Sequence, residues 1–189
     1  MDRDLESRRS ALGRLSGFAV SGALLHPAFS RREGAVQTQE TTAPPGDDVP
    51  IVGTWRLVSF ESRDASGELR LPMGRAVEGQ LIYDRSGHMS MHIMRPDRAH
   101  FASGDRAAGT DAEVRAAFVG YLAYYGRYTV DAARGEVTHH VAGATFPNWV
   151  GGRQLRRFEL KGDRLTITTP SMLADGRNLT TVLTWGRDD

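Results

Sequence analysis

The 189-residue chain contains no cysteine, no long apolar run and no excess of charge of one sign. Without cysteine, disulfides, cysteine-ligated zinc sites, iron–sulfur clusters and thiol catalysis are excluded. The 24 basic and 23 acidic residues are mixed along the chain, whereas nucleic-acid binding requires a basic face or stripe. We therefore expect no nucleic-acid partner. A hydrophobic fraction of 40% predicts one domain with a core of its own.

Signature motifs of several enzyme and metal-protein classes are also missing. The chain has no Gly-rich phosphate loop, no Gly-x-Ser-x-Gly turn and no His-Glu-x-x-His pair. His139 and His140 are adjacent, and adjacent strand residues point to opposite faces. His88 and His92 share a face but lie about 13 Å apart along an extended strand. Neither pair fits one ion, so we expect no metal and no cofactor.

Residues 1–50 differ in composition from the rest of the chain. The run Ser7-Arg8-Arg9-Ser10-Ala11-Leu12 resembles the twin-arginine export motif, and a weakly apolar stretch over 15–25 follows it. That stretch is too short and too polar for a stable membrane anchor. We predict that residues 1–30 are a signal for export to the periplasm and that residues 31–50 are a disordered linker. The alternative is a basic extension on a cytoplasmic protein.

Short alternating runs divided by turn residues begin after Pro50, and they predict an all-β meander. Eight candidate strands lie near 52–62, 78–84, 88–94, 126–131, 136–142, 153–160, 164–169 and 178–186. Side-chain direction alternates along a strand, so the turns predict which residues lie opposite each other. The expected pairs are Tyr83–Met89, Leu81–Met91, Val130–Val137, Tyr128–His139, Leu160–Leu165, Phe158–Ile167 and Arg156–Thr169.

One helix, at about 111–124, is predicted within the meander. Thr110 and Glu113 have the spacing of a capping box at its start. Apolar residues then recur at helical spacing and form one face, namely Val114, Phe118, Tyr121 and Leu122. We expect this helix to lie beside the barrel or to close one of its ends.

A series of motifs runs in order along residues 51–186. They are Gly53-Thr54-Trp55, Gly79-x-Leu81-x-Tyr83, Gly87-x-Met89-Ser90, Arg95-Pro96, Gly120-Tyr121, Tyr124-x-Gly126-x-Tyr128, Val137-Thr138-His139-His140, Phe146-Pro147-Asn148-Trp149-Val150-Gly151 and Gly162-Asp163-x-Leu165-Thr166. Together they resemble the bacterial and fungal lipocalin-like domain family, a group of calycin-type β-barrels. The resemblance implies an eight-stranded antiparallel up-and-down barrel around a cavity. It also implies that Trp55 fills the closed end beneath an arginine of the last strand, where Arg177 and Arg187 stand at the edges. It implies no catalytic residue.

The predicted strand faces give the barrel an interior lined by aromatic and methionine side chains. A barrel of this size is either filled by side chains or holds one small ligand, and flat rings and thioethers suit an apolar ligand. The alternative is that the same residues only fill the core. The candidate ligand-binding residues are Tyr83, Met89, Met91, Tyr128, His139, Trp149, Arg156 and Phe158.

Arg156 is the candidate whose orientation matters most. Facing inward, its charge needs a partner, either Glu61 or a ligand carboxylate. A slip of one residue places it in solvent instead. His139 facing inward is either a general acid or base or a hydrogen-bonded core residue. The segment 146–149 either lines the mouth of the barrel or plugs it.

The sequence therefore predicts a lipocalin-like carrier that binds one small, largely apolar molecule, with an acidic or hydroxyl group reaching Arg156. The alternative is a cofactor-free isomerase, cyclase or hydratase in the same barrel, with His139 or Tyr128 moving a proton.

Overall fold

The computed structural model of the chain describes residues 49–174 and 176–188. Ten strands follow in the order β1 (Gly53–Arg63), β2 (Leu69–Arg70), β3 (Glu78–Tyr83), β4 (His88–Met94), β5 (Tyr121–Asp131), β6 (Glu136–Ala144), β7 (Arg153–Lys161), β8 (Arg164–Thr168), β9 (Met172–Ala174) and β10 (Arg177–Arg187). The helix α1 (Asp111–Val119) precedes β5, and one 3₁₀ turn, Pro147–Trp149, precedes β7. The predicted signal and all but the end of the predicted linker lie outside the described residues.

The sheet closes on itself because β1 pairs with β3 on one side and with β10 on the other. The closed ring contains β1, β3, β4, β5, β6, β7, β8 and β10, each antiparallel to its neighbours, while β2 and β9 are short strands at its border. The predicted eight-stranded up-and-down barrel with one helix is confirmed. Within the described residues, no helix is long and apolar enough to cross a membrane.

The connections between strands alternate between the two ends of the barrel. Tight turns after β3, β5 and β7 lie at one end, here called the hairpin end. Each of these turns contains a glycine with positive φ, at Gly87, Gly135 and Gly162, a conformation that glycine adopts without steric cost. The longer connections, including α1 and the 3₁₀ turn, lie at the opposite end, here called the loop end.

The hairpin registers follow the turn residues as predicted. Tyr83 lies opposite Met89, Tyr128 opposite His139, and Phe158 opposite Ile167. The ladder of β7 and β8 ends at Arg157–Thr168, one step short of the expected pair Arg156–Thr169. The inward residues of β10 include Leu183 and Trp185, which are buried as predicted.

A bulge in β1 reverses the alternation of its side chains. The register shifts between Leu57 and Ser59. Trp55 and Leu57 are buried before the shift, whereas Phe60 and Ser62 turn inward after it. An extra residue in one strand has this effect because side-chain direction has a period of two. Glu61 therefore lies beside Arg63, at an O–N distance of 3.9 Å. Of the two partners considered for Arg156, Glu61 or a ligand carboxylate, the structure does not pair it with Glu61.

The helix is shorter than predicted, and β5 is longer. Helix α1 begins with the expected capping box but ends at Val119, where Gly120 forms its C-cap. Tyr121 then starts β5 and lies opposite Met94 of β4, so the helix boundary at 124 and the strand start at 126 were wrong. Tyrosine-rich segments favour strands, and the ladder with β4 outweighs the helical spacing of residues 121 and 122. Val114 and Phe118 remain half exposed, so the expected apolar face of the helix is not buried.

Candidate functional site

A cavity of about 210 Å³ lies inside the barrel. Its wall is mainly apolar, with contributions from Leu81, Met91, Ile93, Ile167 and Leu183. The polar groups of this wall include Tyr124 from β5, His139 from β6 and Arg156 from β7.

The mouth of the cavity lies at the loop end, between the segment 146–149 and β9. Phe146 and Trp149 line one side, and Leu173 lines the other while it is 76% exposed. The Trp149 ring stands edge-on to the ring of Tyr124, with centroids 5.7 Å apart, and Phe146 stands edge-on to Trp149 at the same distance. The 146–149 segment therefore lines the mouth, and its aromatic contacts tie it to the cavity wall.

Arg156 faces inward and is 6% exposed. Its Nη1 donates to the carbonyl oxygen of Leu155 at 2.8 Å, and its Nη2 donates to Oε1 of Gln154, which is also buried. These two acceptors are uncharged, as is the Tyr124 hydroxyl that also accepts from the guanidinium, and no ion pair among the described residues includes Arg156. Of the two alternatives from the sequence, the inward one is present, and the guanidinium enters the cavity wall without a carboxylate.

His139 lies between two tyrosine hydroxyls. Its Nε2 is 2.6 Å from Oη of Tyr83, and its Nδ1 is 2.8 Å from Oη of Tyr124. Burial, together with the charge of Arg156 and the neighbouring His140, lowers the pKa of His139 to about 3. The imidazole is therefore neutral at pH 7, with both ring nitrogens in hydrogen bonds.

The tyrosines around His139 are held protonated. Burial raises the pKa of Tyr124, while the charge of Arg156 and a hydrogen bond from its guanidinium oppose that rise. Burial also raises the pKa of Tyr83 well above its usual value. The ring of Tyr128 lies 4.8 Å from that of Tyr83, and its hydroxyl donates to the carbonyl oxygen of Asp84 at 2.8 Å. At neutral pH each of these phenols keeps its hydrogen.

The structure divides the predicted ligand-binding residues into two groups. Met91, His139, Trp149 and Arg156 line the cavity. Tyr83, Met89, Tyr128 and Phe158 also point into the barrel but lie outside the cavity wall, and Tyr83 contacts it through His139. Contact with a ligand stays a prediction for all of them.

Several wall residues were not singled out from the sequence. Phe60 was missed because the bulge in β1 moves it inward, and Leu122 was missed because it was assigned to the helix. The short strand β9 gives no periodic signal. The missed residues are Phe60, Leu122, Tyr124, Thr169, Met172 and Leu173.

Possible metal ligands are scattered over this part of the chain. Within residues 49–174 and 176–188, no three histidine, aspartate or glutamate side chains group closely enough to hold an ion. His92 bonds instead to the Tyr121 hydroxyl at 2.7 Å on the outer surface.

A comparison with known protein families gives a match that agrees with the barrel and with its sequence motifs. The model of the lipocalin-like domain matches residues 52–188. The chain belongs to the lipocalin-like domain family. This lipocalin-like domain is 38% identical over 104 residues to the 4'-hydroxy-3'-methoxypropiophenone carrier protein of Aspergillus oryzae, in a match that covers 51% of this chain and 94% of the relative.

Two solved structures are also similar to this lipocalin-like chain. One is fatty-acid-binding protein 1 of Echinococcus granulosus, with 17% identity and a TM-score of 0.34 over 74% of this chain and 98% of that chain. The other is the REP1-NXSQ fatty acid transporter, with 12% identity and a TM-score of 0.34 over 73% of this chain and 96% of that chain. At these scores, neither likeness bears on the ligand.

Proposed function

We propose that this lipocalin-like barrel is a carrier for one small, largely apolar molecule that holds a polar oxygen against Arg156. The observation that carries the proposal is the buried guanidinium of Arg156 in an otherwise apolar cavity wall. A buried charge without a counter-ion is costly. A ligand carboxylate or other oxygen acceptor would supply the missing partner.

The size of the cavity limits the ligand. Its volume is about 210 Å³, and an apolar cavity of about 150 Å³ is known to hold benzene. One aromatic ring with a short side chain therefore fits, whereas a long fatty-acid chain requires more room. The relative from Aspergillus oryzae is named a carrier of a substituted propiophenone, a single-ring aromatic ketone, and this supports the same size class.

The first test asks whether a molecule occupies the cavity. We would titrate the full chain calorimetrically with 3-phenylpropanoate, its methyl ester and palmitate, in the wild type and in a Leu183→Trp variant. Leu183 lines the cavity, so the indole should fill it and abolish binding. Val182 is the adjacent residue of β10 and points to the other face, so Val182→Trp is the matched control and should bind as the wild type does.

The second test concerns Arg156. Arg156→Leu should weaken binding of 3-phenylpropanoate at least tenfold more than binding of its methyl ester, because only the carboxylate pairs with the full charge. Equal losses for the two compounds would reject the role of Arg156. If 3-phenylpropanoate and its ester do not bind and native mass spectrometry of the chain purified from its own cells finds no bound mass, the carrier function is rejected.

Export is a separate part of the proposal and rests on Arg8 and Arg9 of the twin-arginine-like run. Replacing both by lysine keeps the charge and removes the motif. The wild type should accumulate in the periplasm and the variant in the cytoplasm, as measured by cell fractionation. An unchanged distribution would favour the alternative of a basic N-terminal extension.

A further inference from the structure

The hydrogen-bond capacity of His139 limits what the cavity can offer a ligand. A neutral imidazole has one N–H donor and one acceptor nitrogen. Nε2 is bonded to Tyr83 and Nδ1 to Tyr124, so one tyrosine donates to the ring and the other accepts from it. Two arrangements of the hydrogens are consistent with these distances.

The surroundings of Tyr83 decide between the two arrangements. Tyr83 is 1% exposed, and among the described residues His139 is the hydrogen-bond partner of its hydroxyl. If Nε2 carried the hydrogen, the hydroxyl hydrogen of Tyr83 would be buried without an acceptor, which is costly. Tyr83 also lies outside the cavity wall, so no ligand can accept that hydrogen, whereas Tyr124 lines the cavity. Tyr83 therefore donates to Nε2, and the hydrogen of the imidazole is on Nδ1.

This arrangement turns Tyr124 into a donor towards the cavity. Its oxygen accepts from Nδ1 of His139, so its own hydrogen is free to point elsewhere. Tyr124 lines the cavity and lies beside the guanidinium of Arg156. Because a guanidinium is also only a donor, the hydrogen of the Tyr124 hydroxyl has no acceptor there and is available to a ligand.

A third donor belongs to the same cavity wall. Nε1 of Trp185 is buried and has no hydrogen-bond partner within the described part of the chain. Trp185 itself lines the cavity and is fully buried. Each of the two threonine hydroxyls in the wall already has a partner within the barrel: Oγ1 of Thr169 accepts from the backbone N of Thr181, and Oγ1 of Thr181 bonds to Oγ of Ser62.

We infer that the polar groups of this cavity act together as donors, and that the site selects an oxygen acceptor that carries no hydrogen, either a ketone or ester carbonyl or a carboxylate. This inference rests on the proposed carrier function and adds the chemistry of the bound group. A ligand hydroxyl in the same place carries a hydrogen of its own. Because Tyr124 and Arg156 act as donors there, that hydrogen has no acceptor. The site should therefore bind an alcohol less tightly than the matching carbonyl compound.

One test measures the tautomer of His139 directly. We would record two-bond ¹H–¹⁵N correlations of the full chain at pH 7 and assign His139 by its absence in His139→Gln. The expected signal is that of the Nδ1–H tautomer. An Nε2–H tautomer would overturn the inference, because Tyr124 would then donate to His139. This measurement needs no ligand.

A second test compares matched probes that differ in one oxygen. Propiophenone should bind at least tenfold more tightly than 1-phenylpropan-1-ol, and 3-phenylpropanoate more tightly than 3-phenylpropan-1-ol, by calorimetry. Tyr124→Phe should reduce the preference for the ketone towards equality. Tyr125→Phe is the control, since Tyr125 is the next residue of β5 and is 60% exposed. Arg156→Leu distinguishes the carboxylate from the ketone, because 3-phenylpropanoate should lose more binding affinity in this variant than propiophenone.

The outcomes separate this inference from the proposed function. If ketone and alcohol bind equally well, donor selection is rejected and the carrier function stands. If none of the four probes binds to the wild type and native mass spectrometry of the chain from its own cells finds no bound mass, both are rejected. A tenfold preference for the acceptor, lost in Tyr124→Phe and kept in Tyr125→Phe, together with the Nδ1–H signal, supports the inference.

Discussion

The guanidinium of Arg187 lies over the ring of Trp55, with Cζ 4.2 Å from the ring centroid. The two residues are opposite each other in the ladder of β1 and β10, where the barrel closes. Trp55 donates from Nε1 to the carbonyl of Ile51 at 2.9 Å, and Arg187 donates to that of Val52 at 3.2 Å. The hairpin end is therefore closed as the family resemblance implied. Of the two arginines at the edges of β10, Arg187 is the partner, while Arg177 pairs with Asp64.

Trp55→Ala should destabilise the barrel much more than Arg187→Ala. Trp55 is fully buried, and loss of a buried tryptophan costs about 3–5 kcal/mol. Arg187 contributes a cation–π contact and a hydrogen bond at a partly exposed position, so its loss should cost about 1–2 kcal/mol. Urea unfolding measures both. Asp163→Ala removes the exposed ion-pair partner of Arg187 and should change stability by less than about 0.5 kcal/mol. Similar losses in all three variants would contradict this account of the closed end.

The stability of the protein should fall between pH 7 and pH 5 because of His139. Burial lowers its pKa in the folded state to about 3, below the ordinary value of about 6.5. Below pH 6.5 the unfolded chain binds a proton that the folded chain does not, so stability rises with pH across this window. One such histidine accounts for about 2 kcal/mol between pH 5 and pH 7, measured as the difference in unfolding free energy at the two pH values.

The control for this pH dependence is a matched pair of histidine variants. His139→Gln should remove most of the difference between pH 5 and pH 7, whatever its effect on stability at either pH. His88 is exposed on the outer face of β4, and His88→Gln should leave the difference in place. An unchanged difference in His139→Gln would show that other groups cause it.

The turns of the sequence predicted the strand registers, and the exceptions have local physical causes. Gly87 fixes the turn before His88, so the pair Tyr83–Met89 follows directly. The bulge in β1 has no glycine or proline to mark it, and a single extra residue exchanged the faces of Phe60 and Glu61. Such a bulge is set by the pairing with β10, which a local pattern does not contain.

The sequence predicted the features of the candidate site that follow from the alternation of side chains along a strand. It did not predict those that follow from contacts between residues far apart in the chain. His139 and Arg156 share the interior because β6 and β7 alternate regularly. The absence of a carboxylate beside Arg156, and the position of His139 between two tyrosines, arise from residues far apart in the chain. Tyr124 was missed because residues 121 and 122 fit helical spacing as well as a strand.

Gly126→Ala should destabilise the barrel at the join of β5 and β6. The register shifts between Tyr125 and Gly126, and a Cβ on Gly126 would overlap the carbonyl oxygen of His140 and lie 2.9 Å from the backbone N of Ala142. Backbone cannot move aside as a flexible side chain does, so we expect a loss of about 2–3 kcal/mol in urea unfolding. Gly104→Ala is the control, since a Cβ there meets no atom within 4 Å. Equal stabilities of the two variants would contradict the close approach.

Removal of the buried charge of Arg156 should raise the stability of the ligand-free protein while it removes binding of carboxylate ligands. The guanidinium is bonded to Gln154 and to the carbonyl of Leu155 and has no ion-pair partner in the described residues. Replacing buried ionic groups by apolar ones of similar volume is often neutral or stabilising, by about 1–4 kcal/mol. The double variant Arg156→Met, Gln154→Leu removes the charge together with its amide acceptor, and we expect a gain of about 1 kcal/mol or more in urea unfolding.

The matched control is the neighbouring position on the outer face of β7. Arg157 is 81% exposed at its side chain, so Arg157→Met should change stability by less than about 0.5 kcal/mol and leave binding of 3-phenylpropanoate intact. If the double variant is more stable and no longer binds 3-phenylpropanoate, the charge of Arg156 serves ligand binding and lowers the stability of the fold. A loss of more than about 1 kcal/mol in the double variant would mean that Arg156 stabilises the barrel itself, and its charge would then need no ligand to explain it.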